Sequence, residues 1–211
     1  MTTTDRGELR RLPERGTREW ETIREILDAG AIASVGFSVD GQPFVIPMLY
    51  GRNDQSLILH GSSASRIANT LAEGASVCAT VTHIDGLVLA RSAFHHSMNY
   101  RSVVMFGTAR VIEEPRRKIE ALRILSEHML PGRWADVRGP TKQELAITMV
   151  LEMPIDEATA KVRTGPPNDD EADYARRCWA GVLPLSVRAG EPIADARLAS
   201  DIEVPVYMTH R

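Results

Sequence analysis

The chain has 211 residues, enough for one domain with a sizeable core and short appendages. Apolar residues make up 43% and charged residues 25%, and the net charge of -3 leaves no basic excess for nucleic acid as a main partner. The N-terminus MTTTDRGELRRLPERG is polar, and no apolar run is long enough to span a bilayer. The expectation is therefore a cytoplasmic protein with no membrane partner.

Residues 1–16 carry charges, Gly7 and Pro13 without periodicity and read as an arm. Thr17 is placed to N-cap a helix running to Ala29, with Trp20, Ile23, Ile26 and Leu27 as its buried stripe and Gly30 as its stop. The period then changes from 3.6 to 2. Ala31–Val39 reads as a strand, Asp40-Gly41 as a hairpin turn and Phe44–Tyr50 as the return strand. FVIPMLY is apolar on both faces and should be central. Pro47 within it marks either a bulge or a strand edge, because proline cannot donate to a ladder.

Leu57-Ile58-Leu59 is a short buried strand that His60 and Gly61 are expected to end. Ser62, Ser63 and Ser65 follow, and Ile67, Ala68 and Leu71 repeat at helical spacing. A serine-rich helix start offers free N–H groups, hydroxyls and the positive end of the helix dipole. Arg66 adds a planar cation that grips a phosphate with two parallel hydrogen bonds. An ordinary capped helix with a solvated arginine fits the same residues.

After Gly74, Ser76–Thr82 reads as a strand, Asp85-Gly86 as a second hairpin turn and Leu87–Ala90 as its return. Residues 91–99 are irregular, and Tyr100–Ile112 is one long strand. Arg101 at its start needs an anion or a carboxylate if buried. Pro115 opens a helix with Ile119, Leu122, Leu125 and Met129 on one stripe. Arg116, Arg117 and Lys118 sit at its positive end and call for a compensating acid. A loop carrying Trp134, a helical turn at Thr141–Glu144, strands at Leu145–Met153 and Ala158–Arg163, an acidic loop from Pro166 to Asp173 and a last strand at Cys178–Val187 complete the chain. Many short-linked strands with few helices argue a mainly β barrel with peripheral helices.

The six histidines, at 60, 83, 95, 96, 128 and 210, show no metal-binding spacing, and neither do Cys78 and Cys178. No nucleophile elbow, phosphate-binding P-loop or GxGxxG is present. His60 stands out because it ends a buried strand beside the candidate phosphate site, where it could hydrogen-bond a ligand or shuttle a proton. A partly buried histidine bonded to backbone is the plainer alternative.

Taken together, the VIPMLYG strand, HGSSASR with its helix, and YRSVVMFG resemble the pyridoxamine 5'-phosphate oxidase-like, flavin-binding split-barrel superfamily, and within it the nitroimidazole-resistance branch. The resemblance covers about Thr17 to Val187, leaving residues 188–211 as a tail. It implies a six-stranded split β-barrel, a homodimer, and FMN in clefts between subunits. By resemblance, Arg66 with Ser62, Ser65 and Gly61 holds the FMN phosphate. Pro47, Met48 and Leu49 lie along the flavin ring, Arg101, Ser102 and Val103 flank the cofactor, and His60 faces flavin and substrate. Trp179, in a Trp-Ala-Gly segment similar to the oxidases' Trp-Gly-Gly strand, reaches the site, in one arrangement across the dimer. Two departures stand out. Ile67 replaces the lysine that follows the family's Ser-Arg pair. The tail ADARLASDIE carries no histidine after Arg197-Leu198, so a vitamin B6 substrate is not carried over.

The resulting expectation is an FMN-dependent oxidoreductase acting on an unidentified small molecule, with His60 as its catalytic group and no metal site. The alternatives are a flavin-, deazaflavin- or haem-binding sensor or store, with His60 or His95-His96 against the haem, and a structural dimer with a vestigial pocket.

Overall fold

The computed structural model describes residues 5–209, so His210 lies outside the described residues. The chain is mainly β, as its alternating segments require. The strands are β1 (Gly16–Thr17), β2 (Ile32–Val39), β3 (Gln42–Asn53), β4 (Ser56–Ser62), β5 (Ser76–Leu89), β6 (Ser97–Thr108), β7 (Arg110–Val111), β8 (Thr148–Pro154), β9 (Glu157–Arg163) and β10 (Gly181–Pro184). The helices are α1 (Trp20–Asp28), α2 (Arg66–Ala72), α3 (Pro115–Met129), α4 (Arg133–Asp136) and α5 (Lys142–Ile147). All pairings are antiparallel, in the order β1-β9-β6-β5-β2-β3-β4-β8-β7, with β10 added to β5.

The strand β3 joins two parts of this sheet. Residues 42–49 pair with β2 and residues 50–53 with β4. The first part of β3 therefore has one open side, and Pro47 sits in it, opposite Ser34 without a register shift. The Tyr50 N–H donates to Ala31 O at 3.2 Å, so alternate pairs going back along the hairpin (48/33, 46/35) are the hydrogen-bonded ones. Pro43 and Pro47 both fall between them, where the missing N–H would face the open side. Pro47 marks a strand edge and not a bulge. The hairpin itself turns at Asp40 and Gly41, with φ of 51° and 79°, as an Asp-Gly type I′ turn requires.

Leu57 and Leu59 of β4 enter the main core with Val35, Tyr50, Val103, Met105 and the α1 residues Ile23, Ile26 and Leu27. Ile58 points to the other face, where it meets Ile112, Val150, Ala121 and Leu125 under α3. Strand β4 is thus buried on both faces by alternation.

Several boundaries differ from the sequence reading. Thr17 pairs with Ala160, and Glu19 is the N-cap of α1; the Thr17 hydroxyl only accepts the Glu19 N–H at 3.1 Å. His60 and Gly61 do not end β4, because pairing to Val150 and Met149 carries it through Ser62. Asp85-Gly86 is a bulge between Ile84 and Gly86 in a continuous β5, since the same dipeptide that makes a hairpin also accommodates one extra residue. The Tyr100–Ile112 segment breaks at Ala109, where the chain passes from β9 to β8 as partner. Ile119 is 37% exposed, and Ala121 and Leu125 are the buried residues of α3. The arm is docked along β9: Arg6 bonds Glu157 at 2.8 Å, and the Thr159 hydroxyl donates to Gly7 O at 2.8 Å.

Candidate functional site

The site is built where α3 crosses β3 and β4. Gly51 of β3 permits this approach, because a Cβ there would come within 3.0 Å of the Leu125 backbone. Glu114 caps α3 by accepting the Arg116 and Arg117 N–H groups at 2.9 and 2.6 Å. Its cationic first turn is compensated further by Arg117 on Glu152 at 3.0 Å and Lys118 on Leu145 O. These are the acidic and carbonyl partners that the run Arg116–Lys118 demanded.

Between α3 and the sheet lies a cleft of about 460 Å³. Leu49 and His60 form its floor, Leu122, Leu125, Ser126 and Met129 one wall, and Trp134, Arg138, Pro140 and Glu144 its outer side. Six of these side chains are apolar and four are polar or charged, a mixed lining of a size that takes a ligand. The outer side is pinned at several points. The Glu127 carboxylate accepts the N–H groups of Gly132 (2.7 Å) and Trp134 (2.9 Å), and Gly132 takes φ of 92°. From the tail, the Tyr207 hydroxyl donates to Asp136, and Arg133 donates back to Tyr207 at 3.2 Å. At the rim, Arg138 grips Glu144 at 2.8 and 2.6 Å, and Thr141 and Glu144 form a reciprocal capping box. The guanidinium, then the Thr141 N–H, pull the Glu144 carboxyl down to about 2.

His60 is the unusual group on the floor. Its Nδ1 is buried without a hydrogen-bond partner, and burial pushes its pKa below the usual imidazole value. Three of the other described histidines are hydrogen-bonded. His83 Nε2 lies 2.9 Å from Ile26 O, His128 Nε2 2.7 Å from Gly30 O, and His96 Nδ1 accepts the Ala90 N–H at 2.9 Å. His95 Nε2 stands 3.3 Å from Asp170, though not in hydrogen-bonding geometry. A neutral, desolvated imidazole on an apolar floor is a good ligand and a poor acid.

The serine-arginine segment stands at the end of the same strand. Ser65 caps α2 by accepting the Ala68 N–H at 3.3 Å, and Ser62 accepts the Ala64 N–H at 3.2 Å. Both hydroxyl protons remain free to donate. Arg66 is exposed at the first position of α2, 5.1 Å above the Phe44 ring on β3. On β3, Pro47 is exposed and Met48 is buried in the core, while Leu49 faces the His60 cleft.

The β6 residues lie elsewhere. Strands β5, β2 and β3 separate β6 from β4. Arg101 is gripped by Asp85 at 2.9 and 2.8 Å and lines a different groove with His83, Leu185 and Val187. The hydrogen bond from Arg101 holds the Asp85 carboxyl low. Ser102 donates to Lys161 O at 3.4 Å, Val103 is fully buried, and the exposed Trp179 lies against Gly181. Leu49 and His60 line one cleft; Gly61, Ser62, Ser65 and Arg66 follow His60 along the chain but are not among its lining residues, and Arg66 lies over Phe44, while Arg101 and Trp179 lie elsewhere. Arg138 and Glu144 were missed in the sequence. Their signal was the Thr141-x-x-Glu144 capping box, which locates α5 at the rim.

An antiparallel sheet whose β3 is shared between two parts, with a ligand-sized cleft under a crossing helix, defines the split β-barrel class. The sequence profile of the pyridoxamine 5'-phosphate oxidase family matches residues 19–162, and the chain belongs to that family. It superposes on the flavocytochrome Anf3 of Azotobacter vinelandii with a TM-score of 0.91 and 39% identity, over 97% of this chain and 95% of that one. The FAD and heme binding protein of Mycobacterium smegmatis gives 0.88 and 36%, over 92% and 95%. A 5-nitroimidazole resistance-type protein of Bacteroides thetaiotaomicron gives 0.59 and 25%, over 70% and 86%. No curated protein matches the chain. Among the described residues, no helix is long and apolar enough to cross a membrane.

Proposed function

We propose that this chain is a redox protein that binds a flavin and a haem. The observation that carries the reading is His60, which lines the cleft and whose buried Nδ1 has no hydrogen-bond partner. The likeness to a flavocytochrome and to an FAD and heme binding protein extends over more than nine-tenths of the chain. His60 would supply a nitrogen ligand to the haem iron, and Leu49, Leu122, Leu125, Met129 and Trp134 would pack against the macrocycle. When bound, haem exchanges single electrons and flavin exchanges one or two, so the pair can hand electrons between a donor and a small-molecule acceptor.

The flavin phosphate would lie on Arg66, Ser62, Ser65 and Gly61, with the ring along Pro47–Leu49. Arg101, Ser102, Val103 and Trp179 would complete that site across a homodimer, which accounts for their distance from Arg66 within one chain. Support for such a dimer comes from the exposed apolar row Met98, Leu87 and Leu183, directly opposed across β6, β5 and β10. With Ile67 in place of a second cation, a single arginine holds the phosphate. We assign the cofactor as a flavin, with FMN and FAD distinguished by extraction.

A second reading keeps FMN alone, with His60 as proton donor to a small substrate. Its support is the Ser-Arg segment and the likeness to the nitroimidazole resistance-type protein. The lowered pKa of His60 favours iron ligation over proton donation.

The deciding experiment is an absorbance spectrum of the purified chain before and after reconstitution with haemin, FMN and FAD, followed by desalting. Flavin bands and a Soret band are expected, with His60→Ala losing the Soret band and keeping the flavin. Flavin bands without a Soret band would select the second reading. Retention of neither cofactor would overturn both.

A further inference from the structure

Below its rim the His60 cleft is lined by apolar side chains apart from His60 and Ser126, and its charged side chains lie at the rim. Its charged lining residues are Arg138 and Glu144. Their pair is bidentate but open to solvent, with side-chain exposures of 68% and 43%. Exposed pairs of this kind contribute little net stability, so one carboxylate can replace another at small cost. Glu144 would not be stranded by the exchange, because the Thr141 N–H still donates to it at 2.7 Å. Arg138 would keep its fork geometry, which matches a carboxylate with two parallel N–H donors.

A porphyrin with carboxylates along one edge is the chemical complement of this layout: an apolar disc for the depth of the cleft and an anionic edge for its rim. We propose that Arg138 is the carboxylate-recognition residue of the cleft, exchanging Glu144 for a carboxylate of the bound porphyrin. This rests on the haem reading of the same cleft. It makes Arg138 a specificity residue that selects porphyrins bearing free carboxylates over neutral ones.

The test titrates the full chain, freed of haem, with haemin and separately with haemin dimethyl ester, and follows the Soret band. The wild type should bind haemin more tightly than the ester. Arg138→Gln should weaken haemin binding about twofold to fivefold, the worth of a solvent-exposed ion pair, and leave the ester unchanged. Arg138→Lys should recover part of the loss, because it restores charge without the fork. Glu144→Gln should tighten haemin binding severalfold and leave the ester unchanged, because its neutral amide no longer competes for the guanidinium. Equal weakening of haemin and ester by Arg138→Gln, or no weakening of either, would overturn the assignment of Arg138. A wild type that binds haemin and the ester equally would do the same while leaving the haem reading intact. A wild type that binds neither would overturn the haem reading and this assignment with it.

Discussion

Gly51 lies directly beneath Leu125, so close that a single added carbon would meet the helix backbone at 3.0 Å. A backbone cannot swing aside as a side-chain tip can. The substitution Gly51→Ala must therefore lift α3 off β3, and α3 carries the Leu122, Leu125 and Met129 wall of the cleft. A stability loss of about 1–3 kcal/mol is expected, the range for overpacking. Urea unfolding would measure it. The same variant should bind haemin more weakly than wild type, whereas a surface change such as Asp40→Asn should alter neither.

Pro47 offers the opposite case. Its ring nitrogen lies on the open side of β3, so Pro47→Ala removes no ladder hydrogen bond and should change stability by no more than about 0.5 kcal/mol. Ile46, one residue away, belongs to a hydrogen-bonded pair with Val35. Ile46→Pro deletes that bond within a strand and should prevent folding or lower the melting temperature sharply. Circular dichroism melts of the two variants distinguish edge from bulge, since a bulge at Pro47 would make both positions tolerant.

Much of this architecture is legible in the sequence, and the reasons are local. The Asp40-Gly41 turn, the Gly74 stop and Pro115 at the start of α3 each follow from backbone chemistry that one or two residues determine. Leu57-Ile58-Leu59 announces a strand buried on both faces. The failures share a different cause. Asp85-Gly86 is equally suited to a hairpin and a bulge, and only the β6 partner, continuous from Thr108 back to Ser97, decides between them. Ala109 interrupts an apolar run because its flanking residues change partner strand, which no periodicity encodes. His60 and Arg66 could be singled out as candidates from their neighbouring residues, and the structure places His60 in the cleft but Arg66 over Phe44. Arg138 and Glu144 could not, because their place at the rim depends on how α3, α4 and α5 fold back over the sheet.

His60 gives the chain a pH signature. Burial holds its folded-state pKa below the 6.5 of an exposed imidazole. As pH falls through 6.5, the unfolded chain takes up a proton that the folded chain resists. The stability associated with a neutral His60 is therefore complete above about pH 6.5 and declines as the pH drops toward the lowered folded value. Urea midpoints of the cofactor-free protein between pH 7.5 and 5 should fall less steeply in His60→Gln than in wild type. Equal slopes would mean that His60 is as solvated as a free imidazole. Haem bound through this nitrogen should also become weaker across the same range, because a proton and iron compete for one lone pair.

The two arginines assigned to the flavin differ in what already holds them. Arg66 lies over the Phe44 ring, with no ion pair among the described residues, whereas Arg101 is neutralised by a bidentate bond to Asp85. Arg66→Ala should therefore carry the larger loss, about 1.5–3 kcal/mol of flavin binding, as for a hydrogen bond to a charged group. Asp85→Asn should act in the opposite direction. It removes the competing carboxylate while keeping a side chain of the same shape in the bulge, and so leaves Arg101 free to meet a phosphate supplied across a dimer. Flavin fluorescence titrations of both variants, at fixed salt, provide the check. Tighter binding in Asp85→Asn together with weaker binding in Arg66→Ala would place both guanidinium groups at one flavin. An unchanged affinity in Asp85→Asn with lowered stability would make Arg101 a structural partner of the bulge, leaving Arg66 and the Ser62–Ser65 hydroxyls to hold the phosphate.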